Sequence, residues 1–222
     1  THYWKRHGEN SIDAGATSIA ITIKNAGKSY ISVKDNGSGM NKSDLQSCIL
    51  RHATSKLPTD DLFNINFLGF RGEALPSIAS ISKLTITTNN GNECWQIKVE
   101  NSKITNLSPA SITKGTQIEV EDLFYNIPAR LNFLKTDRAE MSKIIDTVER
   151  IALSNPDKTF MLNDILILRS TSQIDRIASI MGTDFKNNAI EIDTQSYNMK
   201  IKGYICRPTF TRATSAYQYI YV

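Results

Sequence analysis

Hydrophobic and polar positions alternate over Ser18 to Lys24, where Ile19, Ile21 and Ile23 share one face, and again over Tyr30 to Lys34, with Ile31 and Val33. Asn25-Ala26-Gly27-Lys28 between them is turn material, so the two runs predict a hairpin with one buried face. Leu84 to Thr88, Trp95 to Val99 and Gln117 to Val120 read as further strands, two of them flanked by Gly91 and Gly115, and a mostly antiparallel sheet is implied. After the hairpin come a Gly-rich loop and a polar stretch from Asn41 to Asn66. Glu73 to Ser80 predicts a helix, with Pro76 near its start, where a missing N–H costs little. Met141, Ile144, Ile145, Val148, Ile151 and Ala152 recur at helical spacing until Asn155-Pro156, and this stripe should lie on the sheet. From Phe160 onward two short apolar strands, a helix ending before Gly182, and strands around Ala189 to Ile192, Met199 to Ile205 and Tyr217 to Val222 predict a second unit. Its last strand is cut by the end of the chain, and Ser170-Thr171-Ser172-Gln173 is the linker candidate.

With 222 residues, 40% hydrophobic and 22% charged, the chain can bury a real core without staples, as one large domain or one and a half. The net charge of +4 is scattered, a mild pointer to a nucleic-acid partner. Cys48, Cys94 and Cys206 are odd in number and far apart, unlike zinc or disulfide frameworks, and are expected to be reduced thiols of a cytosolic protein. The apolar runs fall short of the roughly 20 residues of a membrane helix, and no signal-peptide pattern opens the chain. A soluble protein that is not exported is expected.

Asn10 and Asp13 stand three apart before Ala14-Gly15, so at the end of a helix they would share a face. That face could hold a metal, or it could be an exposed helix end with a glycine cap. In Asp35-Asn36-Gly37-Ser38-Gly39, two glycines let the backbone approach a flat ligand while a buried Asp accepts a hydrogen bond from an exocyclic amine, as an adenine offers. The competing reading is a simple hairpin turn. Gly69-Phe70-Arg71-Gly72 opening a helix offers free N–H groups to phosphates, and Arg51-His52-Ala53-Thr54-Ser55-Lys56 adds hydroxyls and cations. Each has a bland counterpart, a structural turn or a solvated face. Ala26-Gly27-Lys28-Ser29 resembles the end of a P-loop, but Thr22 stands where that motif needs Gly, and the segment lies in a hairpin. The dinucleotide fingerprint G-x-G-x-x-G is absent.

Taken in order, Glu-Asn-Ser-Ile-Asp-Ala-Gly-Ala (9 to 16), Asp-Asn-Gly-Ser-Gly-Met (35 to 40), Arg-His-Ala-Thr-Ser-Lys (51 to 56), Gly-Phe-Arg-Gly-Glu-Ala-Leu (69 to 75) and Asp-Leu-Phe-Tyr-Asn-Ile-Pro-Ala-Arg (122 to 130) strongly resemble the MutL family of DNA mismatch repair proteins. The third to fifth blocks set that family apart from its superfamily relatives, the type II topoisomerase ATPase subunits, a family of chaperones and the histidine kinases. The resemblance implies an α+β fold: a Bergerat-type α/β sandwich ATPase domain over residues 1–170, then an incomplete unit of the ribosomal protein S5 domain 2 type over 171–222. It further implies ATP and Mg²⁺ as ligands. Asn10 would give its amide oxygen to Mg²⁺, with Asp13 and Ala14 beside it. Asp35 would accept the adenine amine, and Gly37, Gly39 and Met40 would shape the pocket. Thr54, Ser55 and Lys56 would fall in a lid. Gly69, Phe70, Arg71, Gly72, Glu73, Ala74 and Leu75 would wrap the phosphates, and Thr116 would close the adenine side.

In such a family nucleotide binding orders the lid and brings two N-terminal regions together, as a homodimer or heterodimer, to recruit a mismatch-recognition protein of the MutS type on DNA. A cytoplasmic location is implied for a bacterial parent and a nuclear one for a eukaryotic parent; the former is preferred. The family pattern reads Glu-x-x-x-Asn, with the Glu as general base one turn before the Mg²⁺ ligand, and here that position is Arg6, which cannot accept a proton at neutral pH. Glu9, next to Asn10, points about 100° away on a helix, and Gly8 weakens the helix by about 1 kcal/mol relative to Ala. Thr1 to Gly8 are therefore expected to be foreign to the family. At the other end the chain stops at Tyr221-Val222, where the family continues with Asn-Gly-Arg, DNA-contacting basic residues and a Lys that reaches the γ-phosphate. The alternative reading is a hydrolysis-dead interaction module or a nonfunctional gene fragment.

Overall fold

The computed structural model describes residues 2–50, 74–197, 199–214 and 217–221. Among the described residues ten strands fall in two sheets. β1 (Ser18–Lys24), β2 (Tyr30–Asp35), β3 (Lys83–Asn89), β4 (Cys94–Glu100), β5 (Lys103–Pro109), β6 (Gly115–Glu121), β7 (Thr159–Leu162) and β8 (Leu166–Leu168) form the larger one, in the order β5-β4-β3-β6-β2-β1-β7-β8. β9 (Ala189–Ser196) and β10 (Met199–Cys206) form the smaller. Among the described residues the only parallel pairing in the larger sheet is β1 with β7, and α4 (Asp137–Ser154) lies in the connection before β7.

The alternating isoleucines of β1 all turn to one side, where Ile19, Ile21 and Ile23 join Val33, Leu84, Ile86, Ile97, Val99 and Phe160 in a continuous buried cluster. Helices cover that side. α4 contributes Ile144, Val148, Ile151 and Ala152 from a stripe at i, i+4, i+7 and i+8, so its apolar face lies on the sheet as its spacing predicts. Thr136 caps it, its hydroxyl accepting from the Ala139 N–H, and its first turn carries Asp137 and Glu140, favourable at the positive end of the helix. α1 (His2–Asp13), α2 (Lys42–Ser47) and α3 (Ala74–Ala79) complete the layer. The architecture is thus an α/β sandwich with its helices on one face of a mixed sheet. α1 runs unbroken through Gly8, whose own Cα faces α4; a Cβ there would touch Ile151 Cδ1 at an ordinary 3.6 Å.

Three differences from the sequence pattern have physical causes. β5 is an edge strand with exposed side chains on both faces along most of its length, so it shows no alternation. α2 is one and a half turns long, held by Asn41, whose side chain accepts from the Asp44 N–H, and by one fully buried residue, Leu45, which is too little for a periodic signal. Tyr217 to Tyr221 form no strand: Tyr219 packs against the cluster of Leu153, Ile177 and Phe185 and lies under the Arg150 guanidinium, and the Tyr221 hydroxyl donates to the Arg150 carbonyl, so the segment is held against α4 at Arg150.

Beyond β8, α5 (Gln173–Met181) and α6 (Thr183–Asn188) precede the small sheet, and Leu153, Ile177 and Phe185 make a second core at the end of α4. The linker candidate is tied down. Ser170 N donates to Thr159 Oγ1, Thr171 N to the Pro156 carbonyl, and Ser172 caps α5. Under it lies Arg176, fully buried, whose Nη2 donates to the carbonyls of Pro156, Lys158 and Arg169. Burial lowers its pKa from the ordinary arginine value, and the charge of Asp157 works against that shift. Arg176→Met, similar in length but without donors, strips the Lys158 and Arg169 carbonyls of these bonds. It should cost at least about 2 kcal/mol, read as a lower urea midpoint; a change within about 0.5 kcal/mol would contradict this role.

Candidate functional site

β2 ends at Asp35, and the chain then enters a loop that leads to α2 instead of turning back as a hairpin. The Asp35 carboxylate is held from three directions. Its Oδ1 accepts the Gly37 N–H at 2.9 Å and the Thr116 N–H at 3.1 Å, and its Oδ2 accepts the Ser11 hydroxyl at 2.7 Å. A carboxylate has about four lone-pair positions, so one, on Oδ2, is left over by its described partners. Asn36 secures the loop from the other side, its Oδ1 accepting the N–H groups of Thr17 and Ser18 and its Nδ2 donating to Thr17 Oγ1.

Glycines allow the close approaches. A Cβ on Gly37 would stand 2.9 Å from the Ala14 carbonyl oxygen and 3.1 Å from Asp35 Oδ1. At Gly39, with φ +69°, it would fall 2.2 Å from the Asn89 oxygen, and at Gly115, with φ +130°, 2.0 Å from the Asp35 oxygen. No other residue fits these places without moving backbone.

Thr88, on β3 and completely buried, is not legible in the sequence as a site residue. Its Oγ1 accepts the Met40 N–H at 2.8 Å and lies 3.1 Å from Thr116 Oγ1, so one hydroxyl joins the loop after Asp35 to the start of β6. Ser11 is equally silent. Both look like ordinary polar residues of a strand and a helix, and only the pairing of distant segments shows their use.

α1 ends as its sequence predicts. Asn10 and Asp13 lie in its last turn, the Ala14 N–H reaches the Asn10 carbonyl, and Gly15 follows with φ +72°. The Ser38 N–H bonds the Ala14 carbonyl at 3.0 Å, so this helix end abuts the glycine loop. Arg6 stands on α1 one turn before Asn10. The structure therefore gathers Ala14, Asp35, Gly37, Gly39, Met40 and Thr116 into one place, with Asn10 and Asp13 on the adjoining turn. Ala74 and Leu75 open α3, and Leu75 packs on the main core. Thr54, Ser55, Lys56, Gly69, Phe70, Arg71, Gly72 and Glu73 lie outside the described residues.

Among the described residues no three His, Cys, Asp or Glu side chains converge as a metal cluster. A hard cation here would draw on Asn10 and on oxygens brought by a ligand or water, the habit of Mg²⁺. The three cysteines are free and half-buried, and burial together with the Asp44 charge pushes the Cys48 thiol up to about 12. Among the described residues no helix is long and apolar enough to cross a membrane.

Residues 9–130 match the family model for histidine kinase-, DNA gyrase B- and HSP90-like ATPases, and residues 177–222 match that of the DNA mismatch repair protein C-terminal domain. The MutL mismatch repair proteins of Paramagnetospirillum magneticum and Bartonella quintana are 42% and 45% identical to it over 96% of this chain. The chain spans about 37% of the length of these relatives. Among solved structures, the Aquifex aeolicus MutL ATPase domain complexed with ADP superposes with a TM-score of 0.69 at 30% identity, covering 86% of this chain and 70% of that one. The N-terminal domain of a DNA repair protein gives 0.78 at 29% identity, covering 97% of this chain and 70% of that one. With the ATPase-type sandwich and the glycine-lined carboxylate both in place, these matches make the chain a member of the MutL family of DNA mismatch repair proteins, corresponding to its ATPase region.

Proposed function

We propose that this chain binds ATP at the Asp35 loop and that in the whole protein the nucleotide acts as a switch, joining two N-terminal regions and recruiting a mismatch-recognition protein on DNA. The observation that carries the reading is the Asp35 carboxylate: fixed by three donors among the described residues, it keeps one acceptor position for an amine beyond them, in a loop that Gly37 and Gly39 let pack directly on the backbone of Ala14 and Asn89. The related Aquifex aeolicus ATPase domain, solved in complex with ADP, supports a nucleotide as the ligand. Asn10 would supply one oxygen to Mg²⁺, which when bound offsets phosphate charge. Thr116 and Met40 would flank the base, Ala14 and Asp13 would border the metal side, and Thr54 to Lys56 and Gly69 to Leu75 would cover the phosphates. Residues 1–170 would form the nucleotide-binding domain and 171–222 part of the S5-type unit.

A second reading, binding without hydrolysis, is favoured by one observation. Arg6 occupies α1 one turn before Asn10, where a general base would stand, and a guanidinium stays protonated. The chain is accordingly expected to bind Mg²⁺-ATP weakly and to release no measurable phosphate in a coupled assay. Robust hydrolysis that disappears in Asn10→Ala would show that another residue serves as base and would overturn the reading of Arg6.

A further inference from the structure

Ser11 sits in the last turn of α1, 4% exposed, beside Asn10 in sequence. A serine inside a helix commonly returns its O–H to the carbonyl four residues back, the cheapest way to satisfy it. Here the hydroxyl instead crosses to Asp35 Oδ2 at 2.7 Å, 24 residues away and on the sheet. The two donors on Oδ1 are backbone N–H groups of Gly37 and Thr116, so they are independent of side-chain identity; the hydroxyl is the one side-chain donor the described residues give to this carboxylate. Two bonds to one oxygen leave the carboxylate free to tilt about the axis through that oxygen, and the bond to Oδ2 removes this freedom.

We propose that Ser11 is a positioning residue for base recognition: by fixing Oδ2 it aims the remaining acceptor position of Asp35 at a 6-amino group, and so sets the preference for adenine over an oxo purine. This rests on the proposed role of Asp35. It also ties the base acceptor directly to the helix turn that carries Asn10, so the base end and the metal end of the site share one rigid connection.

The test is saturation-transfer NMR titration of the 222-residue chain with ATP and with inosine triphosphate, which carries an oxygen where ATP carries the amine. Ser11→Ala should weaken ATP by about tenfold and leave inosine triphosphate nearly unchanged, collapsing the preference. Ser11→Cys, with a weaker donor, should keep part of it. Asp35→Asn is measured alongside. If Asp35→Asn removes the preference while folded Ser11→Ala retains it, Ser11 is no positioning residue and the proposal is wrong. Equal weakening of both nucleotides by Ser11→Ala would assign it a purely structural role and overturn the proposal as well. If Asp35→Asn leaves the preference intact, or the parent chain binds neither nucleotide, the base-acceptor reading itself fails. Should Ser11→Ala not fold by circular dichroism, Ser11→Cys decides: a full parental preference there, with folding kept, overturns the proposal.

Discussion

Asp35→Asn is expected to weaken ATP binding severely while leaving the fold intact. The amide oxygen can take the place of Oδ1 and keep the bonds from the Gly37 and Thr116 N–H groups. The amide nitrogen then occupies the place of Oδ2, where the Ser11 hydroxyl, free to rotate, changes from donor to acceptor. Every protein partner is thus retained. What changes is the position left for a ligand amine, which now meets a donor instead of a charged acceptor. Losing a charge-assisted bond and gaining a donor–donor contact should cost at least about 3 kcal/mol, on the order of a hundredfold in affinity. Unchanged ATP affinity in a variant with parental circular dichroism would remove Asp35 from the site.

The second large effect is expected at Gly115. A methyl group there would stand 2.0 Å from the Asp35 carbonyl oxygen, 2.8 Å from its carbon and 2.9 Å from Asn36 Cα, all of them backbone. None can swing aside as a side chain end would. Gly115→Ala should force the start of β6 away from the end of β2 and pull the Thr116 N–H off the carboxylate. A cost on the order of 3 kcal/mol is expected from the overlap and the positive φ together. Gly15→Ala is the matched control, since Gly15 also has positive φ but open space around its Cα; it should cost only about 1–2 kcal/mol. Thermal denaturation of both variants separates the two contributions, and equal losses would mean that the approach of β6 to Asp35 is unimportant.

The sheet and its main helix were legible because burial imposes a period: Ile19, Ile21 and Ile23 face the core, and Ile144, Val148 and Ile151 recur at helical spacing. Where burial is weak the pattern fades, as in the exposed edge strand β5 and the short α2. The aromatic run at Tyr217 to Tyr221 reads as a strand by composition, yet Tyr219 and Tyr221 lie against Arg150 of α4, a choice made by tertiary contact. At the site, the loop glycines and Asp35 stood out because their residue types are demanding. Ser11 and Thr88 did not, since a hydroxyl becomes informative only when its partner is known, and the partners lie 24 and 48 residues away. Gly115 was visible as a strand flank, but the reason for it, contact with the Asp35 backbone, depends on how β6 and β2 pair.

An adenine-nucleotide site at the Asp35 loop can be read out by isotope-labelled NMR of the unmodified chain titrated with ATP and, separately, with GTP. Saturable shifts are expected with ATP, centred on the backbone amides of Gly37, Gly39, Met40 and Thr116, and much smaller shifts at those amides with GTP, whose 6-oxo group offers Asp35 no donor. Such a site is refuted by the opposite outcome: absence of ATP-dependent shifts at these amides in the folded chain, or equal responses to the two nucleotides.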